Sequence, residues 1–245
     1  MLAPLIRLVR LPIDDYLAAL ERFAVGWTWP RLALVLAGLV AGWWVYVPLH
    51  ELAHELGNVL GGGAVAPLDI DPIYGAALLQ RVFPFINVGS DYAGQLRDFD
   101  RSSDLRYLLT DILPFVGTIV VGVPMLRAAA RPQGSAAWRA VLFGASVPVA
   151  FAPFISLTGD YYEMGSILVS RAVAMLASGF DVERWRSDDA FKLAGSLFGT
   201  DGTGTAADAV GLAASFAVGV VLALLTYAAG VACARAFLSR TGDRA

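Results

Sequence analysis

The chain has 245 residues, of which 57% are hydrophobic and only 16% are charged, and its mean hydropathy is +0.63. Because a soluble domain of this size carries about a quarter charged residues, the composition excludes an ordinary soluble protein and indicates one embedded in a lipid bilayer. The net charge of −3 and the absence of a basic run argue against a nucleic-acid partner. The one cysteine, Cys233, stands in an apolar run and offers neither a disulfide nor a thiolate metal site.

The N-terminal segment, residues 1–31, is predicted to be amphipathic and to lie in the membrane interface. Apolar clusters alternate there with arginine and carboxylate side chains, and Pro12 is expected to break the helix. Trp27 and Trp29 mark a membrane boundary, since tryptophan is enriched at that depth.

The remainder of the chain predicts an all-α polytopic membrane protein with about five transmembrane helices. These are expected at about 32–60, 104–127, 136–156, from about 160 to 178, and at 209–234. Residues 64–103 carry many charges, and their strand-like stretches predict a small β-hairpin or a re-entrant loop near the end of the first transmembrane helix. The expected parts are the segment 1–31, a transmembrane core at 32–178, a polar extramembrane loop at 179–207, and a C-terminal transmembrane helix and tail at 208–245. Arginine and lysine are shared evenly between the loops, so the membrane orientation stays open.

A metal-binding motif stands at the end of the first apolar run. The only two histidines, His50 and His54, are four residues apart, with Glu51 directly after the first. On a helix, positions i and i+4 lie on one face, so both imidazole rings reach one metal ion. The carboxylate between them projects to the side, where it can take a proton from a metal-bound water. Since residues 32–49 are uncharged, this chemistry is expected within the bilayer.

The motif leaves one protein ligand unassigned. A zinc ion in a hydrolase typically has three protein ligands and one open position. Because the chain has no third histidine, the missing ligand must be a carboxylate, and carboxylates within membrane segments are costly and usually functional. Asp111, Asp160 and Glu163 are the candidates. Asp111 has a second interpretation, as a residue near a helix start that pairs with Arg106.

The pattern resembles the site-2 protease family of intramembrane zinc metalloproteases, which carry a His-Glu-x-x-His helix in one membrane segment. Their third ligand is an aspartate of a later segment, within an Asn-Pro-x-x-Pro-x-Asp-Gly-like stretch. Here the matching positions run from Pro153 to Asp160, although no asparagine precedes Pro153 and Tyr161 replaces the glycine. The resemblance covers residues 32–178.

This resemblance implies a zinc-dependent endopeptidase that cleaves membrane-embedded or membrane-proximal protein segments. Glu51 would be the general base that activates water beside the zinc. The implied site consists of the zinc ligands His50, His54 and Asp160, with Glu163 as the alternate ligand, the catalytic Glu51, and Asn58 and Glu55 as residues that orient a histidine or the substrate.

The expected partners are a membrane-protein substrate and the lipid bilayer. A substrate helix must unwind to expose its scissile bond, and the strand-like stretch at 82–88 is expected to pair with it by β-augmentation. No single loop has room for a recognition domain of ordinary size, so a regulatory membrane partner or a second copy of the chain is expected to contribute to substrate choice. The alanine-, arginine- and glycine-rich composition is typical of the bacterial cytoplasmic membrane.

Two non-proteolytic functions are the alternatives: a metal-binding membrane scaffold and a metal carrier of similar fold. Glu51 argues against the scaffold, because a purely structural site has no need of a base. A carrier would require further intramembrane ligands along a path, and the chain has no other histidine and few carboxylates for one.

Overall fold

The computed structural model describes residues 2–242, with side chains described for residues 4–238. Within these residues the fold is predominantly helical, and three segments are long and apolar enough to cross a membrane: Trp29–Leu60, Asp104–Ala129 and Ala206–Leu238. This confirms the helical membrane-protein class that the composition predicts. Residues 243–245 of the predicted C-terminal tail lie outside the described residues.

The elements follow one another in a simple order. The helices are α1 (Leu2–Ala24), α2 (Trp29–Leu60), α3 (Ala76–Leu79), α4 (Asp104–Ile112), α5 (Val123–Ala129), α6 (Ala136–Ala150), α7 (Ala152–Ile155), α8 (Asp160–Leu176), α9 (Ala190–Phe198) and α10 (Ala206–Gly242). A 3₁₀ turn (Leu113–Phe115) and a π-helical turn (Thr118–Gly122) join α4 to α5. The strands are β1 (Leu68–Ile70), β2 (Ile86–Val88) and β3 (Gly94–Leu96).

The metal-binding motif lies in the C-terminal half of α2. This helix begins at Trp29, three residues before its predicted start, with Pro30 in the first turn, where the missing N–H costs nothing. It ends at Gly61, as predicted, and Gly62 follows with a φ of +86°, which glycine adopts without strain. Its 32 residues give a length of about 48 Å, longer than the hydrocarbon core of a bilayer.

Glycines bring α2 and α6 into close contact. A Cβ atom on Gly38 or Gly42 would overlap the backbone of α6 at Val141 and Ala145, and one on Gly144 would overlap the backbone of α2. Small residues at membrane helix interfaces allow such close approach, which strengthens van der Waals packing. Since the residue numbers rise together along this contact, α2 and α6 run in the same direction.

Helix α8 also runs in the direction of α2. α4 is antiparallel to α2, because Gly57 lies against Leu109 and Gly61 lies against Arg106. α8 is antiparallel to α4 in turn, because Asp104 at the start of α4 pairs with Arg171 near the end of α8.

α6 and α8, which correspond to the third and fourth predicted spanning helices, are shorter than the sequence predicts and run in the same direction. α6 and α8 contain 15 and 17 residues, so they are about 22 and 26 Å long. Each is shorter than the roughly 30 Å hydrocarbon core, and consecutive complete crossings joined by a short link run in opposite directions. Pro148 lies near the end of α6, and Pro153 lies in α7, within the interruption. Both favour a break in the helix, because proline removes a backbone donor and its ring clashes with the preceding turn.

Residues 64–103 hold a three-stranded sheet rather than the predicted hairpin. The strand order is β2-β1-β3, with β1 parallel to β2 and antiparallel to β3. Parallel pairing requires a crossover connection, which a 3₁₀ turn and α3 provide. The buried face of Leu68, Ile70 and Ile86 packs against Leu52, which fixes the sheet on α2.

Helix α1 packs on the bundle without the predicted break at Pro12. The helix is continuous from Leu2 to Ala24, and Pro12 is buried. Packing on both sides of the proline holds the helix together: Ala19 enters the core beside Val123 and Phe143. α1 also exposes apolar side chains at Leu5, Val9, Ile13 and Leu17.

The predicted polar loop folds back onto α8 and α10 and contains α9. Trp185 Nε1 and the Thr205 hydroxyl donate hydrogen bonds to the Asp208 carboxylate (3.0 and 2.8 Å). The Tyr162 hydroxyl donates to the carbonyl of Trp185 (2.9 Å). The loop is thereby fastened to the start of α10 and to the helix that carries Asp160.

Candidate metal centre

Helices α2 and α8 bring two histidines and one aspartate together inside the bundle. His50 Nε2 lies 3.4 Å from Asp160 Oδ2, His54 Nε2 lies 3.8 Å from Asp160 Oδ1, and the two Nε2 atoms are 3.2 Å apart. All three side chains are largely buried. His54 and Asp160 are 106 positions apart in the sequence, and they meet here because α8 packs within the same bundle as α2.

The spacing of these donor atoms fits a small metal ion. A tetrahedral zinc ion with ligands at about 2.0–2.1 Å holds its donor atoms about 3.4 Å from one another. The three separations in this cluster are 3.2, 3.4 and 3.8 Å. The group formed by His50, His54 and Asp160 can therefore hold a metal ion with little movement of the side chains.

The outer nitrogen of each histidine has a hydrogen-bond partner. His54 Nδ1 lies 2.9 Å from the carbonyl oxygen of Thr110. A carbonyl only accepts, so Nδ1 carries the proton and the Nε2 lone pair of the neutral ring faces the cluster. His50 Nδ1 lies 2.8 Å from the Tyr46 hydroxyl, which accepts from Nδ1–H when His50 Nε2 binds a metal. Such partners orient metal-binding imidazole rings.

Asp160 is positioned by the interruption between α6 and α8. It is the first residue of α8. The Ser156 hydroxyl donates to Asp160 Oδ2 (2.7 Å), and the backbone N–H of Asp160 donates to Ser156 Oγ (3.2 Å). These two bonds, one turn before the helix, fix the carboxylate so that it faces the histidines.

Glu51 follows His50 on α2, and its side chain lies against β3. The residue is 8% exposed. A Cβ atom at Gly94 in β3 would overlap the Glu51 side chain, so glycine at this position leaves room for the carboxylate where it lies. β3 is an edge strand, and it is separated from β2 by β1. The sheet edge beside Glu51 is therefore β3, not the stretch at 82–88 that the sequence predicts for substrate pairing.

Glu55 and Asn58 hold the loop between α2 and β1. The backbone N–H of Ala66 donates to Glu55 Oε1 (3.0 Å), and Asn58 Nδ2 donates to the carbonyl of Ala64 (2.8 Å). The predicted role of these residues in orienting a histidine belongs instead to Tyr46 and to the Thr110 carbonyl. Their contacts position β1, and thus the sheet beside Glu51.

The other two candidate ligands lie outside the donor cluster. Glu163 follows Asp160 by one turn, and its charged neighbours include Asp188 and Arg186 of the 179–207 loop. Asp111 is in the last turn of α4, so the interpretation as a residue near a helix start is wrong; Arg106 pairs with Asp100 instead. Both carboxyl groups are buried, and each has one oxygen with no hydrogen-bond partner among the described residues.

Sequence reasoning missed the two groups that orient the histidines. Tyr46 precedes His50 by four residues, so its place on the same helix face is a signal in the sequence. Thr110 acts through its backbone carbonyl, and no side-chain pattern can reveal such a contact.

No protein-family model, curated protein or solved structure matches the chain. The described residues form a helical fold in which three helices are long and apolar enough to cross a membrane, and within it His50, His54 and Asp160 form a group that can hold a metal ion, with the buried Glu51 directly after His50.

Proposed function

We propose that this chain is an intramembrane zinc metalloprotease, which hydrolyses peptide bonds of membrane-embedded or membrane-proximal protein segments. The observation that supports it most is the position of Glu51, adjacent to a three-ligand cluster inside a bundle of apolar helices. Three protein ligands leave one position of a tetrahedral ion open, as catalytic zinc sites do, whereas structural sites are closed by a fourth protein ligand. The resemblance of the motif to site-2 proteases agrees with this interpretation.

The chain's own residues supply binding and proton transfer. Bound zinc would supply a Lewis acid for the peptide carbonyl and for the attacking water. Glu51 accepts the proton of that water and returns it to the amide nitrogen, so that the C–N bond breaks and a carboxyl and an amino terminus form. Tyr46 and Thr110 keep the imidazole rings in place, and Ser156 keeps Asp160 facing them.

An extended substrate would pair with the free edge of β3. The side of this strand that faces away from β1 offers backbone N–H and C=O groups for a further strand. Because Gly94 touches the end of Glu51, a segment paired there runs beside the base. This proposal replaces pairing along 82–88, since β2 lies at the other edge of the sheet.

The proposed membrane arrangement has four crossings: α2, α4 with α5, α6 through α8, and α10. The third crossing, α6 through α8, is the interrupted one. The break between α6 and α8 lies at the metal centre, and irregular backbone at membrane depth is tolerated where it lines a polar cavity. Arg131 Nη1 donates to the carbonyl of Leu238 (3.1 Å), so the α5–α6 link and the end of α10 lie on one side. The composition favours a bacterial cytoplasmic membrane.

The test measures zinc content and peptide cleavage on the same purified protein. Zinc is determined by elemental analysis, and cleavage by mass spectrometry of a model transmembrane peptide incorporated with the protein into liposomes. We expect about one zinc per chain and cleavage by the wild type. Glu51→Gln should keep its zinc and lose cleavage by at least about 10²-fold, whereas the exposed Glu21→Gln should cleave as the wild type does.

Three results would contradict the proposal. A folded wild type without zinc would leave no metal to act on the peptide. Cleavage by Glu51→Gln at the wild-type rate would remove the base from the mechanism. A protein that binds zinc and never cleaves, with or without Glu51, would be the metal-binding scaffold or carrier.

A further inference from the structure

A second polar feature lies at the end of the bundle remote from the metal centre. A small, open cleft lies where the end of α1 meets the starts of α2 and α6. Three arginines line it, one from each helix: Arg22, Arg31 and Arg139. The described residues of the lining include no carboxylate, and Phe23 and Phe143 belong to its apolar part.

The positive charges of this arginine cleft have no counter-charge in the described part of the chain. None of the three guanidinium groups forms an ion pair there. Arg139 Nη1 donates to the carbonyls of Pro132 (2.9 Å) and Gly134 (2.6 Å), and Arg31 donates to the carbonyl of Gly26. These bonds fix two guanidinium groups but leave their charges uncompensated, because carbonyl groups are neutral. Like charges around one cleft repel one another, and a bound anion would relieve that repulsion.

Exposed tryptophans place the cleft at the depth of lipid headgroups. Trp27 and Trp29 lie at the turn into α2, and Trp138 lies in the first turn of α6 beside Arg139. Their side chains are 51%, 74% and 58% exposed. Tryptophan with one polar edge is enriched where membrane meets water, so the cleft opens at that boundary.

We propose that this cleft binds the phosphate group of an anionic phospholipid. Guanidinium groups bind phosphate oxygens through paired, charge-assisted hydrogen bonds. The apolar part of the cleft suits the glycerol and first methylene groups of a lipid, which a free phosphate ion lacks. The site stands apart from the metal centre and does not depend on its function.

Native mass spectrometry on the full-length protein in detergent tests the assignment, with phosphatidylglycerol, phosphatidylcholine and inorganic phosphate as separate probes. We expect phosphatidylglycerol to bind and to raise the temperature of thermal unfolding, whereas the other two do neither. Arg22→Gln should weaken phosphatidylglycerol binding about tenfold. Arg22 is the residue to change first, because Arg31 and Arg139 also fasten neighbouring turns. Arg22→Lys, which retains the charge, should recover part of the affinity.

Arg7→Gln is the matched control, since it removes one exposed arginine from the same helix outside the cleft. An equal loss of binding in the Arg7 variant would overturn the proposal in favour of general charge attraction. Equal binding of phosphatidylglycerol and phosphatidylcholine would also overturn it. Inorganic phosphate bound in place of the lipid would show an ion site and refute the lipid as its ligand.

Discussion

Replacing Gly94 with alanine is expected to disable catalysis while leaving the metal centre and the fold intact. The new Cβ would overlap Glu51 Cγ and would lie 2.5 Å from Glu51 Cδ and 2.7 Å from Glu51 Oε2. Carbon atoms in contact are ordinarily about 3.5–4.0 Å apart, so the carboxyl group must move by about 1 Å. The obstructing atoms are the end of a flexible side chain rather than backbone, so the displacement costs little stability.

The size of the effect follows from that displacement. A misplacement of about 1 Å in a reacting group can cost about 10²-fold in rate, which corresponds to about 2.7 kcal/mol in the activation barrier. The three atoms nearest to the new methyl group all belong to Glu51, so we expect the ligands His50, His54 and Asp160 to stay in place. Zinc content should therefore equal that of the wild type.

The assay compares cleavage of the model transmembrane peptide, zinc content and the thermal unfolding temperature for wild type and variant. Gly195→Ala is the matched control, because nothing lies within 4 Å of a Cβ at that position in α9. It should cleave normally and gain up to about 1 kcal/mol in helix stability. Cleavage by Gly94→Ala at the wild-type rate would refute the placement of Glu51 against β3 or its role as base.

Three further experiments test the centre and the bundle. Asp160→Asn should abolish stoichiometric zinc binding, whereas Glu163→Gln should keep it; elemental analysis that gave the reverse would make Glu163 the ligand. Tyr46→Phe removes the partner of His50 Nδ1 and should weaken zinc affinity about 10–100-fold in a chelator competition, while Tyr74→Phe, whose hydroxyl accepts from Trp43 (3.0 Å), should not. Gly144→Ala should lower the free energy of unfolding by about 1–3 kcal/mol, because its Cβ overlaps the α2 backbone; an unchanged denaturation midpoint in detergent would contradict the close α2–α6 contact.

Much of the site's chemistry can be predicted from the local sequence. His50, Glu51 and His54 occupy one short stretch whose helical periodicity alone places both imidazoles on one face. The uncharged run before them predicts a buried, membrane-embedded centre, and the structure does place them on an apolar helix of spanning length. Gly61 as the end of α2 is equally local, because a helix stops where glycines replace residues with side chains.

The sequence narrowed the third metal ligand to three carboxylates but did not decide among them. Asp111, Asp160 and Glu163 all satisfy the requirement for an intramembrane carboxylate. The choice among them depends on which helix face meets α2, and this follows from long-range packing. Asp160 reaches the histidines because the helix is interrupted before it, and Ser156 orients its carboxylate.

The sequence by itself determined the class of protein and the chemical nature of the site, because hydropathy and i, i+4 spacing act over one or two helical turns. Tertiary structure alone decided the common direction of α6 and α8, the parallel pairing of β1 with β2, and the contact between Gly94 and Glu51. Each of these depends on segments distant in the chain meeting in space. Such contacts are selected by the packing of the whole bundle, and no short stretch of sequence encodes them.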